Sequence, residues 1–467
     1  MPLPARRLAP LLAVTLAAAP LSACAAGHSG HALAVAPAIV SHQLCSATFV
    51  AKVDPETYYR DALAADLAFL EPFVRHHVDR ARGEVTASLF GYKSRAVYRG
   101  AEGCLVVQGP VRPAAAAPAP TGPALLPPIA GPEVVTPTDP ALIATLDHAF
   151  AEPAKGPRLT KAVVIVHDGR IVAERYAPGY GIDTQQHGWS MTKSVTNALL
   201  GVLVRQGKLR MDEPAPVAAW ADPKDPHHAI TPDSLLRMRS GLDFGQSLDQ
   251  DWKVAFDPTT QMVFATPDMA ALPEKARMAA RPGEMWRYSN GNTLLLSRLI
   301  RDQVGGDAAG VMAFAHRELF DKLGMTHTTL EFDAVGTPIG ASHMWASARD
   351  WARFGLLYLN DGVVGGQRIL PEGWVDYSAR LTPGSERFGY GAGFWTNRGD
   401  PIPVHRFRAG MPRDSFFASG SLSQYVVVVP SSRLVIVRLG PSREPYGGTQ
   451  MLNQLTADAV AAVAGKS

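Results

Sequence analysis

Ser190-Met-Thr-Lys-Ser-Val-Thr-Asn-Ala-Leu-Leu-Gly-Val-Leu-Val-Arg-Gln-Gly207 is the stretch on which the reading of this chain turns. Val195, Ala198, Leu199, Val202 and Leu203 recur with the 3.6-residue period of a helix that buries one face. Gln206-Gly207 ends it, glycine being the residue best suited to a left-handed cap. Ser190 and Lys193 open the helix and lie one turn apart on the same face. A serine hydroxyl is a weak nucleophile until a neighbouring base takes its proton. A lysine becomes such a base once burial favours its neutral amine. The helix N-terminus adds a positive potential that favours alkoxide and oxyanion. Ser-x-x-Lys on its own is a weak signal in a serine-rich chain. Here it is the sole instance, and it opens a long apolar helix.

The sequence on either side predicts a sheet. Asp139-Pro140 is a helix start, with a helix running to about Phe150. Lys161 to His167 and Arg170 to Tyr176 are β-rich runs around Asp168-Gly169, a two-residue hairpin signal. Near the other end, Tyr425 to Val429 and Leu434 to Leu439 are β-branched runs, followed by an amphipathic helix from about Thr449 to Val463. Residues 190 to 380 read mostly as helices and loops. The expected class is α+β: an antiparallel sheet built from both ends of a domain spanning 138–467, flanked by helices, with a mostly helical insert.

Two further motifs carry chemistry. Tyr288-Ser289-Asn290 follows the turn Arg281-Pro282-Gly283-Glu284. A phenol can shuttle a proton when a nearby cation lowers its pKa, and the Asn290 amide can hold a substrate carbonyl or fix the lysine. Ala418-Ser419-Gly420-Ser421 precedes the strand from Tyr425, where a strand edge can give a backbone N–H to a developing oxyanion and glycine permits close approach. Each motif alone is also compatible with an ordinary turn. Tyr358-Leu359-Asn360 ends a helix from Ala348 to Leu359 and reads as structural. Arg349 and Asp350 read as capping and pairing at that helix start. His405 reads as a structural strand-edge residue, His227-His228 as loop, and Trp395 as lining the cleft or packing beneath it.

In this order the motifs resemble the serine β-lactamase and penicillin-recognising superfamily. Ile230-Thr-Pro-Asp-Ser-Leu-Leu-Arg-Met-Arg-Ser-Gly241, Leu319-Phe-Asp-Lys-Leu-Gly-Met325 and Ala346-Ser-Ala-Arg-Asp-Trp-Ala-Arg-Phe-Gly355 are similar to segments of its class C-like members. The resemblance runs from about residue 138 to the C-terminus. It implies an acyl-enzyme on Ser190, proton transfer by Lys193 and Tyr288, and an oxyanion hole from the N–H groups of Ser190 and Ser421. Lactamases and transpeptidases of the superfamily carry Lys-Thr-Gly on the late strand, where the lysine binds a substrate carboxylate. This chain has Ala418-Ser419-Gly420 there, which resembles the 6-aminohexanoate-dimer hydrolase and esterase-like branch. The implied activity is hydrolysis of a small ester or amide. The alternatives are a β-lactamase or D-Ala-directed peptidase and, from another class, a catalytically silent lipoprotein that binds cell-wall fragments.

The remaining sequence speaks to compartment and partners. Arg6 and Arg7 precede an apolar run, Leu8 to Leu21, that is too short to span a bilayer, as in a secretory signal over residues 1–23. Leu21-Ser22-Ala23-Cys24 resembles the bacterial lipobox, so Cys24 is the expected lipid attachment site of an exported, periplasmic, membrane-anchored protein. A plain signal peptide that contains a cysteine is the alternative. The formal net charge is +3, with basic residues scattered, which gives no electrostatic case for nucleic acid. Residues 24–40 read as a tether, 41–112 as a small N-terminal α/β domain and 113–137 as a Pro/Ala-rich linker. Within the small domain, Asp54-Pro55-Glu56 reads as a helix start. Val85 to Leu89, Arg95 to Tyr98 and the run from Cys104 read as strands. Of the 3 cysteines, Cys45 and Cys104 are the expected disulfide in an oxidising compartment, two buried thiols being the alternative. With no CxxC and no HExxH, neither metal nor cofactor is expected.

Overall fold

The computed structural model describes residues 26–154, 156–245, 257–444 and 447–464. Cys24 and the leading segment lie outside them. The larger, C-terminal domain is centred on a six-stranded antiparallel sheet in the order Trp395–Thr396, Phe416–Gly420, Gln424–Val429, Leu434–Leu439, Ala162–His167, Arg170–Tyr176. The two ends of the domain meet at the fourth and fifth strands, where Leu434 faces His167 and Leu439 faces Ala162. The hairpin at Asp168-Gly169 has φ of 48° and 80°, the two positive values that a primed two-residue turn requires.

Alternation along the central strands sends side chains to two different cores. Val163 and Ile165 face a layer made by the helices Pro140–Phe150 and Gly448–Val463, with Leu142, Leu146, Met451 and Leu455. Val164 and Val166 face the opposite layer, with Val195 and Leu199 of the Ser190 helix and Phe354 of the helix Ala348–Leu359. Both sides are buried, so a one-residue slip would exchange two filled cores. Each of these side chains contributes about 1.5–3 kcal/mol by burial, which fixes the register.

The N-terminal unit departs from the sequence reading. A helix spans Ala26–Phe49, so the expected tether over 24–40 is helical from Ala26, and the boundary at 41 falls inside the helix. The reason is burial. Val35, Ala36, Ala38, Val40 and Leu44 are all buried, and alanines lose no side-chain entropy in a helix while letting it approach its neighbours. That packing outweighs the internal Pro37. The helix lies across a four-stranded antiparallel sheet of Arg75–Asp79, Glu84–Leu89, Tyr92–Tyr98 and Cys104–Val106. Asp54 caps the short helix at Pro55, accepting from the N–H of Thr57. Cys45 and Cys104 are joined in a disulfide with Cα atoms 6.1 Å apart.

The segment 113–137 holds neither helix nor strand, yet it is strapped to the larger domain. Leu126 and Ile129 are buried in the main core. Ile129 O accepts from the Ile171 N–H at 2.8 Å and Lys322 O from the Leu125 N–H at 2.8 Å. Arg349, paired with Glu174, donates to the carbonyls of Gly131 and Glu133.

Candidate active site

Ser190 sits in a single tight turn, Trp189–Met191, that runs straight into the helix Thr192–Arg205. Residues Thr192 to Leu203 of that helix are buried throughout, so Lys193 enters the domain interior at 2% exposure. Its Nζ lies 3.1 Å from Ser190 Oγ. It donates to Asn290 Oδ1 at 2.6 Å and to the carbonyl of Ala341 at 2.8 Å. No carboxylate is among these partners. Burial alone therefore acts on the amine and lowers its pKa to about 7.

Asn290 and Tyr288 are placed by one capping residue. Ser289 is the N-cap of the helix Asn290–Gln303, its hydroxyl oxygen accepting from the Gly291 N–H at 3.1 Å. Asn290 thus becomes the first helical residue, with Tyr288 immediately before the cap. The Tyr288 ring lies 4.9 Å from Lys193 Nζ, centroid to nitrogen, and is 3% exposed. Met238 and Tyr390 pack with it, and Trp286 and Trp395 lie against this group. Trp395 packs on Tyr288 at 5.3 Å between ring centroids and stays partly exposed. The expectation that a nearby cation lowers the Tyr288 pKa is reversed. Burial pushes the phenol well up, with a hydrogen bond to Ser190 working in the opposite direction. The lysine beside it has itself lost the tendency to be charged, so desolvation decides for both groups.

The third motif closes the site from the sheet. Ser419 and Gly420 end the strand Phe416–Gly420, and Ser421 opens the turn to the next strand, where Leu422 and Ser423 have positive φ. Of the strand Phe416–Gly420, the short outer strand Trp395–Thr396 pairs with Phe417 and Phe416, so the edge of Ala418 to Gly420 is left to the turn that holds Ser190. A Cβ on Gly420 would stand 2.1 Å from the carbonyl oxygen of Gly188 and 3.0 Å from Trp189 Cβ. Only a residue without a side chain lets strand and turn meet so closely. Ser190, Ser419 and Ser421 are each partly exposed.

Other candidates fall away from this centre. His405 is exposed on a short helix, Ile402–Arg408, and not at a strand edge. His227 is held by Asp225 and the carbonyl of Ala276. Tyr358 is buried and donates to Asn197 Oδ1 at 2.5 Å. Ser347, rather than Asp350, caps the helix Ala348–Leu359, and Asp350 instead accepts from the His327 N–H. The carbonyl of Ala341, a direct partner of Lys193, was not among the sequence candidates. A main-chain acceptor carries no residue signature.

The family profile of beta-lactamase matches residues 146–461, which contain this whole constellation. This chain belongs to the beta-lactamase family. It is a serine hydrolase of that family. Among its relatives is an uncharacterized protein of Mycobacterium tuberculosis, 27% identical over 337 residues, covering 59% of this chain and 80% of the relative. The 6-aminohexanoate-dimer hydrolase of Paenarthrobacter ureafaciens is 22% identical over 238 residues, 46% of this chain and 56% of that protein. The chain therefore spans little more than half the length of this second relative. A family VIII carboxylesterase of known structure superposes with a TM-score of 0.54 at 14% identity, over 71% of this chain and 100% of that one. That last likeness is one of fold.

Proposed function

We propose that the chain cleaves a small ester or amide through an acyl-enzyme on Ser190. The observation that carries this reading is the bonding of Lys193. A neutral amine has two hydrogens and one lone pair. Asn290 Oδ1 and the Ala341 carbonyl take the hydrogens, which leaves the lone pair for the proton of Ser190 Oγ at 3.1 Å. Lys193 is accordingly the base of acylation. Ser190 Oγ attacks the substrate carbonyl carbon while its proton passes to Lys193. The N–H groups of Ser190 and Ser421 hold the oxyanion. Tyr288, kept as a neutral phenol by its burial, protonates the departing alcohol or amine and regains a proton from Lys193. Water then attacks the acyl carbon, and Ser190 is released with its proton restored.

Ala418 stands on the strand where lactamases present a lysine, so a substrate carboxylate gains no partner from that position. Trp286, Tyr390 and Trp395 around Tyr288 suit an apolar acyl or leaving group. The test is hydrolysis of a short-chain p-nitrophenyl ester beside a chromogenic cephalosporin, for wild type and Ser190→Ala. Ester turnover lost in the variant, with the cephalosporin untouched, is the expected result. Fast cephalosporin turnover overturns the substrate assignment.

The proposal includes export and lipidation at Cys24. Labelled palmitate is expected to mark the protein in cells and to miss a Cys24→Ser variant. Equal labelling of the two would refute the anchor.

A further inference from the structure

His42, Glu331 and His343 come from widely separated segments. His42 lies on the N-terminal helix, and the other two stand at the two ends of the loop between the strands Thr328–Leu330 and Met344–Ala346. One potential ligand atom of each lies within 4.8 Å of the other two. The three residues are 3%, 0% and 1% exposed. Around them, His42 Nε2 stands 3.2 Å from Cys104 O and 3.3 Å from Glu331 Oε2. Glu331 Oε1 accepts from Ser46 Oγ and from the Cys104 N–H, and Oε2 from Trp345 Nε1. Ser342 Oγ lies 2.6 Å from His343 Nδ1.

Two ring nitrogens in this group are left over. His42 Nδ1 and His343 Nε2 are buried and have no hydrogen-bond partner. A buried polar atom without a partner is costly and uncommon. On His42, Nε2 faces the Glu331 carboxylate at 3.3 Å, so a cation shared by the two would take the place of the proton between them, and on His343 the unpartnered Nε2 is the available donor. The two imidazoles pack edge to face with centroids 4.7 Å apart. Two imidazoles and a carboxylate, buried together, are the donor set of a borderline divalent transition metal, whereas magnesium and calcium prefer oxygen alone.

We propose that His42, Glu331 and His343 form a divalent-cation site of the zinc class that clasps the N-terminal helix to the catalytic domain. Zinc at its usual bond lengths would draw the three ligand atoms to about 3.3 Å from one another. His343 is held from outside in the usual way, by the Ser342 hydroxyl. The site also braces the active centre. Two residues before His343 is Ala341, whose carbonyl holds Lys193, and the His343 carbonyl accepts from the Glu331 N–H at 2.9 Å. No spacing motif reveals such a site, because its ligands meet only in the folded chain.

The test is zinc binding by the full, untagged chain, measured as metal content after exchange and as affinity by chelator competition. One zinc per chain is expected, with a melting temperature raised by zinc and lowered by chelation. His42→Gln and His343→Ala, each checked for fold by circular dichroism, are expected to lose the stoichiometric metal. Ser342→Ala, which removes only the hydroxyl that orients His343, is expected to bind zinc about 10- to 100-fold more weakly. Folded wild-type protein that takes up no zinc, or a folded His42→Gln variant that keeps it, overturns the proposal. If both histidine variants fail to fold, unchanged affinity in Ser342→Ala overturns it.

Discussion

Lys193 Nζ lies 3.1 Å from Ser190 Oγ with no carboxylate among the amine's hydrogen-bond partners. A lysine in water is fully charged and cannot accept the serine proton. This one is buried, and its pKa falls to about 7, so near neutral pH a large fraction of the enzyme holds a free amine. The consequence is visible in the pH profile. In the proposed mechanism the active form is the deprotonated one, so kcat/KM is expected to rise about tenfold per pH unit below 7 and to level off above it. Lys193→Ala is expected to lose most activity. Full activity in that variant would remove the lysine from the mechanism.

The same lysine affects stability. Unfolded, it titrates near its ordinary value of 10.5; folded, near 7. Between those values the unfolded chain binds more protons, so this group makes stability increase with pH across that window. Below about pH 7 both forms are charged and the cost of burial is felt in full. Lys193→Met is expected to flatten this slope in urea unfolding at pH 7 and pH 9. An unchanged slope would mean that the amine is better solvated than its geometry indicates.

Gly420 lets the sheet touch the turn that holds Ser190. Its Cα has the Gly188 carbonyl in the space a Cβ would occupy. Gly420→Ala is expected to push strand and turn apart and to reduce kcat/KM about 100-fold, in line with an ångström-scale misplacement. Ester kinetics with a circular dichroism control would measure this, and wild-type kcat/KM would contradict the contact.

Arg349 ties the extended segment before the catalytic domain to the sheet through Glu174 and the carbonyls of Gly131 and Glu133. Both charged partners are almost wholly buried. Arg349→Ala strands Glu174 and is expected to cost about 3–5 kcal/mol. Denaturant unfolding of the two proteins measures it.

The Cys45–Cys104 bridge closes a sequence separation of 59 residues. A loop of that length stabilises by about 4 kcal/mol on the chain-entropy account. Reduction, or Cys45→Ala with Cys104→Ala, is expected to lower the melting temperature; an unaltered melting curve would contradict a bridge in the mature protein.

Much of this architecture was legible because local signals agreed. Asp168-Gly169 between two β-branched runs became the hairpin with two positive φ values, and Leu434–Leu439 and Ala348–Leu359 formed with the expected bounds. Residues 26–40 misled, since alanine and glycine suit a tether as well as a closely packed helix, and only tertiary burial distinguishes the two. The strand Arg75–Asp79 was missed because it is polar and half-exposed, without apolar alternation. In the site, side chains could be found by spacing. The Ala341 carbonyl could not, and the sign of the Tyr288 shift depends on a desolvation that no motif encodes.

The most direct measurement is mass spectrometry of enzyme quenched during turnover of a slow p-nitrophenyl ester, for wild type and Ser190→Ala. An acyl mass on the peptide containing Ser190, absent from the variant together with at least about 10⁴-fold of the activity, is the predicted result. Turnover retained in Ser190→Ala, or an acyl group located on another residue, would contradict the account.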